Sequence, residues 1–261
     1  MDHARPPGRL YLSFAMTASK VPEVTLIFWV LKILATTLGE TAGDTLSMTL
    51  ALGYLTATAI FAVIFIAMVA AQIAARRFHP WVYWATIIAT TTVGTTLADF
   101  ATRSLGIGYA GGSTLLLLLL LGSLAVWYRT TGTVSVESVR TPREESFYWV
   151  TIMFSQTLGT ALGDWTADTA GFGYGGAAVV FGGLLALIAA ACFWTGISRT
   201  ALFWAAFVLT RPLGAVLGDL LDKPVASGGF AFSRPLASAL LLTAMLACLL
   251  LFPQRAAGRA H

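Results

Sequence analysis

Charge is scarce in this chain. Of its 261 residues 11% are charged and 57% hydrophobic, and the mean hydropathy is +0.79. A soluble domain of this length carries far more charge on its surface, so a water-soluble fold is excluded. Histidine is almost missing: His3, His79 and His261 all fall in tails or a loop, which excludes a bis-histidine haem inside a membrane. The two cysteines, Cys192 and Cys248, lie within apolar runs. Two thiols do not make a zinc site by themselves, and both read as packing residues. The first twenty residues contain Pro6, Pro7 and Gly8 and no apolar core ending in small residues. They read as a tail rather than a cleavable signal. A basic groove is also lacking, so nucleic acid is not an expected partner.

What the chain does have is apolar windows of about 20 residues, the length of a spanning helix. They recur along nearly the whole sequence. Backbone polar groups in lipid must be satisfied internally, by helices or closed barrels. These runs are too long for barrel strands of roughly 10 residues. The expectation is therefore an all-α polytopic membrane protein with the lipid bilayer as its first partner.

Aligning on tryptophan exposes four copies of one pattern. The copies begin at Phe28-Trp29, Tyr83-Trp84, Tyr148-Trp149 and Phe203-Trp204. Ten residues after each tryptophan stands Gly39, Gly94, Gly159 or Gly214. Then come Gly43-Asp44, Ala98-Asp99, Gly163-Asp164 and Gly218-Asp219. Each copy closes on a glycine–aromatic pair: Gly53-Tyr54, Gly108-Tyr109, Gly173-Tyr174 and, one residue later, Gly229-Phe230. Two spans fit in each copy, at roughly 24–46 and 54–75, 82–102 and 109–128, 147–167 and 174–195, 202–221 and 231–252. Eight transmembrane helices result, as four parallel two-helix repeats about an axis along the membrane normal. The expected organisation is a tail (1–20), a membrane half with repeats 1 and 2 (21–128), a cytoplasmic loop and hinge (129–146), a half with repeats 3 and 4 (147–252) and a tail (253–261).

The basic residues give an orientation. Arg5, Arg9, Lys20, Arg76, Arg77, Arg129, Arg140, Arg143, Arg199, Arg255 and Arg259 flank one side of this layout; the other side has little beyond Arg103, Lys223 and Arg234. The positive-inside rule places both termini in the cytoplasm.

The even spans are nearly pure hydrocarbon, Leu115 to Leu121 above all, and suit lipid-facing positions. The odd spans differ. At about 100° per residue, Thr36, Glu40, Gly43 and Asp44 share one sector. The same sector holds Thr91, Thr95, Ala98 and Asp99; Gln156, Thr160, Gly163 and Asp164; and Arg211, Ala215, Gly218 and Asp219. The glycines Gly39, Gly43, Gly94, Gly159, Gly163, Gly214 and Gly218 form small-xxx-small stripes for close helix packing. Packing does not account for the aspartates. A carboxylate in a spanning helix costs roughly 2.5–3.5 kcal/mol on insertion scales and commonly lines a cavity or meets a partner. Asp44, Asp99, Asp164 and Asp219, with Glu40 and the hydroxyls of Thr36, Thr95 and Thr160, offer the oxygen ligands that hard divalent cations prefer. Carboxylates also carry protons. The structural alternative is an interfacial aspartate that only turns the chain, about 22 Å along the helix from its tryptophan. Against it, a carboxylate at a helix C-terminus meets the negative end of the dipole, four times over. Arg211 lies deep, beside the kinking Pro212, and Glu40 is its expected partner. Lys32 is expected to snorkel to the cytoplasmic end. The tryptophans, and Tyr54, Tyr109, Tyr174 and Phe230 opposite, are expected to form aromatic belts.

The segments Lys20-Val-Pro-Glu-Val24 and Lys32 to Asp44, with the Gly-x-x-x-Gly-Asp copies, resemble a bacterial family of uncharacterised membrane-anchored proteins built from a repeat of unknown function. The resemblance spans about residues 20–252 and implies a bacterial cytoplasmic (inner) membrane location without implying a substrate. Glu40-Thr-Ala-Gly-Asp-Thr45 is also similar to the Glu-x-Gly-Asp motif of a cation/proton exchanger family handling Ca²⁺ and Mn²⁺, with one extra residue and Thr45 in place of a basic residue. The function expected is transport of a small cation, a divalent metal such as Mn²⁺ or Ca²⁺ or one coupled to protons. No cofactor beyond such a bound cation is expected. The alternatives are a non-transporting scaffold or sensor and, further off, an intramembrane aspartyl hydrolase. That enzyme class uses Gly-x-Gly-Asp, where this chain has Ala-x-Gly-Asp. Association into a homo-oligomer is compatible with all of these.

Overall fold

The structure is a computed structural model and describes residues 19–258. Tail positions 1–18 and 259–261, with His3, Arg5, Arg9, Arg259 and His261, lie outside the described residues. The described residues contain eight long helices: α1 (Leu26–Asp44), α2 (Tyr54–Ala74), α3 (Pro80–Asp99), α4 (Gly108–Thr131), α5 (Pro142–Asp164), α6 (Gly173–Trp194), α7 (Arg199–Asp222) and α8 (Arg234–Leu251). Six of them, α1, α2, α4, α6, α7 and α8, are long and apolar enough to cross a membrane. In α3 and α5, threonine, serine and glutamine dilute the hydropathy at buried positions such as Thr90, Thr91, Ser155 and Gln156.

Local chemistry sets the helix ends. Thr25 caps α1 by accepting from the Phe28 amide. Thr141 and Glu144 form a reciprocal capping box on α5, with Pro142 in the first turn, where its missing N–H costs nothing. Gly53, Gly108 and Gly173 take positive φ (75°, 72° and 63°) at the start of α2, α4 and α6, so the glycine of each glycine–aromatic pair makes the turn between the two helices of a repeat. In the fourth copy Gly228 has the positive φ and Gly229 lies against the Lys223 carbonyl; this is the one-residue offset of that copy.

The odd helices form a closed inner square: α1 packs on α3, α3 on α5, α5 on α7 and α7 on α1. Each even helix covers the outside of the following odd helix: α2 on α3, α4 on α5, α6 on α7 and α8 on α1. The apolar windows of α2, α6 and α8 are 11% buried, against 72% for α7. The same contact repeats around the square. A Cβ on Gly39 would meet Thr91, on Gly94 Gln156, on Gly159 Arg211 and on Gly214 Thr36. The bare backbone of each odd helix therefore receives the inward side chain of the next, which is how small residues permit close approach.

Two expectations are corrected by the structure. The tryptophans do not form a belt. Trp84, Trp149 and Trp204 are buried, and each joins neighbouring repeats: Phe28 to Trp84 (5.5 Å), Tyr83 to Trp149 (5.8 Å), Tyr148 to Trp204 (6.3 Å) and Phe203 to Trp29 (5.8 Å). Within segment 129–146 the connection between helices is short. Helix α4 runs to Thr131 and α5 starts at Pro142. The short connection is pinned by Ser19 Oγ donating to the Val136 carbonyl (2.6 Å) and the Lys20 amide to that of Val139 (2.9 Å). Lys20 also pairs with Glu145 at 2.6 Å. Finally, the aspartates do not end their helices. After Asp44, Asp99 and Asp164 the chain continues as π-helical turns, Thr45–Thr49, Phe100–Ser104 and Trp165–Thr169, while α7 runs on to Asp222. In the first three copies one wide turn, a feature common at functional sites, sets the aspartate back from the helix end, and in the fourth three further α-helical residues do so.

Candidate functional site

Every fourth residue of each odd helix faces the axis of the square, so the four copies stack equivalent side chains in tiers. The first tier is Phe28, Tyr83, Tyr148 and Phe203. There the Tyr83 and Tyr148 hydroxyls meet at 2.6 Å. Lys32, Ile87, Ile152 and Phe207 follow, then Thr36, Thr91, Gln156 and Arg211, then Glu40, Thr95, Thr160 and Ala215, and last the four aspartates. All are buried.

Arg211 occupies the axis. From α7 its guanidinium donates to Glu40 Oε2 of α1 at 2.9 Å, to Thr95 Oγ1 of α3 at 2.6 Å, and to Thr160 Oγ1 of α5. One side chain thus touches the three other inner helices. Thr95 Oγ1 also lies 3.3 Å from Glu40 Oε2. Gly159 makes room for the Arg211 stem and Gly218 for that of Glu40. Thr36 is not part of this cluster; it seats against Gly214, and its hydroxyl faces the Thr210 carbonyl at 3.3 Å. Lys32 does not snorkel. It is fully buried, with Nζ 4.0 Å above the Phe207 ring, a cation–π contact that gains strength from desolvation.

The aspartates gather in two pairs, each bridged by a cation one turn further along the chain. Arg103 joins Asp99 (2.9 Å) to Asp164 (3.0 Å). Lys223 joins Asp219 (2.9 Å) to Asp44 (3.7 Å). Arg234 adds Asp44 (3.5 Å) and Asp222 (2.8 Å). The aspartate side chains are 2–5% exposed and the Arg103 side chain 33%, so the cations cap the acidic layer at its open end. Repeats 1 and 3 carry Met48 and Asp168 where repeats 2 and 4 carry Arg103 and Lys223. The fourfold pattern is therefore twofold at this end, and its two halves are repeats 1–2 and 3–4.

Glu40, Asp44 and Asp219 converge, with one carboxylate oxygen from each lying within 4.8 Å of the others. The remaining predicted ligands, Asp99 and Asp164, belong to the Arg103 pair. Along the sequence Arg103, Lys223 and Arg234 stand out only as sparse loop charges. An available signal was the spacing of Asp99 to Arg103 and Asp219 to Lys223, four residues apart on a helix surface. The contact of Tyr83 with Tyr148 had no signal of its own.

The sequence matches the family described as Repeat of Unknown Function (DUF347) four times, over residues 27–78, 82–133, 147–198 and 202–254. No curated protein and no solved structure matches the chain. The four matched segments cover most of its length, and the chain belongs to that repeat family.

Proposed function

For this member of a repeat family of unknown function, we propose transport of a small cation across a membrane along the axis between the odd helices. The observation that carries the reading is Arg211 on that axis, touching the three other inner helices amid a column of ionisable side chains. Charges inside a membrane protein are costly and typically line ion or proton paths. In this reading all eight helices span the bilayer as four parallel repeats. Helices α3 and α5 span as α1 and α7 do, because they hold equivalent places in the square and turn their threonines inward. The basic flanks put both termini in the cytoplasm, and the family resemblance favours a bacterial inner membrane.

The acidic layer of Asp44, Asp99, Asp164 and Asp219 receives the cation, which competes with Lys223, Arg234 and Arg103 for the carboxylates. Glu40, Asp44 and Asp219 are the three whose spacing suits one hard divalent ion. Arg211 acts as the internal counter-charge that holds Glu40 when no cation is bound. The test is flux in proteoliposomes with Mn²⁺, Ca²⁺ and pH dyes inside, under imposed ion and proton gradients. Saturable uptake that Asp44→Asn and Glu40→Gln abolish is expected. Absence of flux for every ion under both gradients overturns the reading.

A scaffold is the second reading, favoured by a specific observation: each of the four aspartates already has a lysine or arginine nitrogen within 4 Å. The hydrolase reading is disfavoured by the same geometry. A catalytic carboxylate pair shares a proton because two adjacent negative charges are uncompensated, whereas Arg103 and Lys223 stand between the pairs here.

A further inference from the structure

A cavity of about 680 Å³ opens on one side of the bundle, between α1, α6 and α7. Repeat equivalence explains its presence in that quadrant. In repeat 2, Trp127 of α4 reaches across the seam between α5 and α7, packing on Tyr148 (6.3 Å) and Trp204 (5.8 Å). The equivalent residue of repeat 3 is Cys192 on α6, and the equivalents of Tyr148 and Trp204 are Phe203 and Trp29. Cys192, Phe203 and Trp29 all line the cavity. Leu124 is likewise replaced by Ala189. Two large side chains have become two small ones, and the volume they would fill is left as a pocket, within the roughly 300–1,000 Å³ range of small-molecule sites.

The pocket is amphipathic along its length. Its inner wall is apolar, including Ile33, Leu185 and Ala206. Most of its polar residues lie where α1 and α7 begin, Thr25, Arg199, Thr200 and, from the connection before α5, Ser135 and Glu137, while Thr210 lies deeper along α7. Arg199 is exposed and makes no ion pair among the described residues. An arginine at the mouth of an apolar slot suits a phosphate group.

We infer that this cavity binds a phospholipid, with one acyl chain in the space vacated at Cys192 and Ala189 and its single phosphodiester at Arg199. The site requires only that the outer helices face lipid and does not depend on transport. It differs from lipid covering the bundle at large in depending on the space left at Cys192 and Ala189.

The test is native mass spectrometry of the full chain extracted from phosphatidylethanolamine–phosphatidylglycerol membranes, beside Cys192→Trp and Arg199→Gln. Wild type should retain one phospholipid per chain, and both variants should lose it while keeping the wild-type melting temperature. If Cys192→Trp fails to fold, Ala189→Leu supplies the smaller filling. A second readout is quenching of Trp29 by brominated acyl chains, taken as the difference from Trp29→Phe; Cys192→Trp should remove it. Equal lipid retention in wild type and variants, a fatty acid or detergent in place of phospholipid, or quenching that survives the filled cavity would each overturn the inference.

Discussion

Neutralising Glu40 and Arg211 one at a time and together tests whether they act as one unit. In Arg211→Gln the Glu40 carboxylate keeps Thr95 at 3.3 Å but loses its cation at 2.9 Å. In Glu40→Gln the guanidinium, fully buried, keeps only neutral acceptors, the new amide oxygen and the Thr95 and Thr160 hydroxyls. Removing one partner of a buried pair costs about 3–5 kcal/mol, because the other charge stays buried and uncompensated. Removing both leaves no such charge, and replacing a buried pair outright is frequently near neutral. The double variant Glu40→Gln/Arg211→Gln should therefore be more stable than either single one, with a coupling energy of about 3 kcal/mol or more. The assay is reversible denaturant unfolding in mixed micelles, completed as a double-mutant cycle. Costs that add to within about 0.5 kcal/mol would refute the pairing as an energetic unit. The charge-swapped protein, Glu40→Arg with Arg211→Glu, gives a stricter version. Gly218 and Gly159 accommodate the Cβ and Cγ atoms of residues 40 and 211, and these atoms are common to glutamate and arginine. The swap should restore stability lost by either single reversal.

Adding a methyl group at Gly159 places Cβ 2.2 Å from Arg211 Cγ, whereas Gly122 faces open space; Gly159→Ala should destabilise the fold by about 1–3 kcal/mol or more, the cost of overpacking, and Gly122→Ala should be silent in the same unfolding assay. Lys32→Met removes the buried charge but keeps an unbranched chain, one atom shorter, beside the Phe207 ring and should leave the melting temperature near wild type; if the axis is the transport path, the same change should alter flux in proteoliposomes. Loss of the hydroxyl contact at 2.6 Å between Tyr83 and Tyr148 by Tyr83→Phe should cost about 1 kcal/mol, read by denaturant midpoint. Thermal unfolding against Mn²⁺, Ca²⁺, Mg²⁺ and Na⁺ should show saturable stabilisation by a divalent ion in wild type and none in Asp44→Asn. A shift that Asp44→Asn keeps would remove that carboxylate from the ligand set.

Glycine at fixed distances from tryptophan, with one acid always five residues beyond, already declared a repeated helix pair. Apolar runs of spanning length marked helices long and apolar enough to cross a membrane. These features are local: periodicity, length and composition act on each segment alone, and so the helices, their four-copy arrangement and the inward sector of Thr36, Glu40 and Asp44 were legible in order along the chain. The pairing of Glu40 with Arg211 was within reach because each charge occurs at its position in a single copy. How the repeats close was not legible, because α1 meeting α7 joins the two ends of the sequence and leaves no periodic trace. Only that closure puts Arg211 between three helices, turns the tryptophans from membrane anchors into joints between repeats, and lets Arg103 and Lys223 reach the aspartate of the next copy. Charge in a low-dielectric interior is governed by distances between elements. The identity of each acidic and basic residue was therefore set by the sequence, and the partner of each was decided by the square of helices that brings them together.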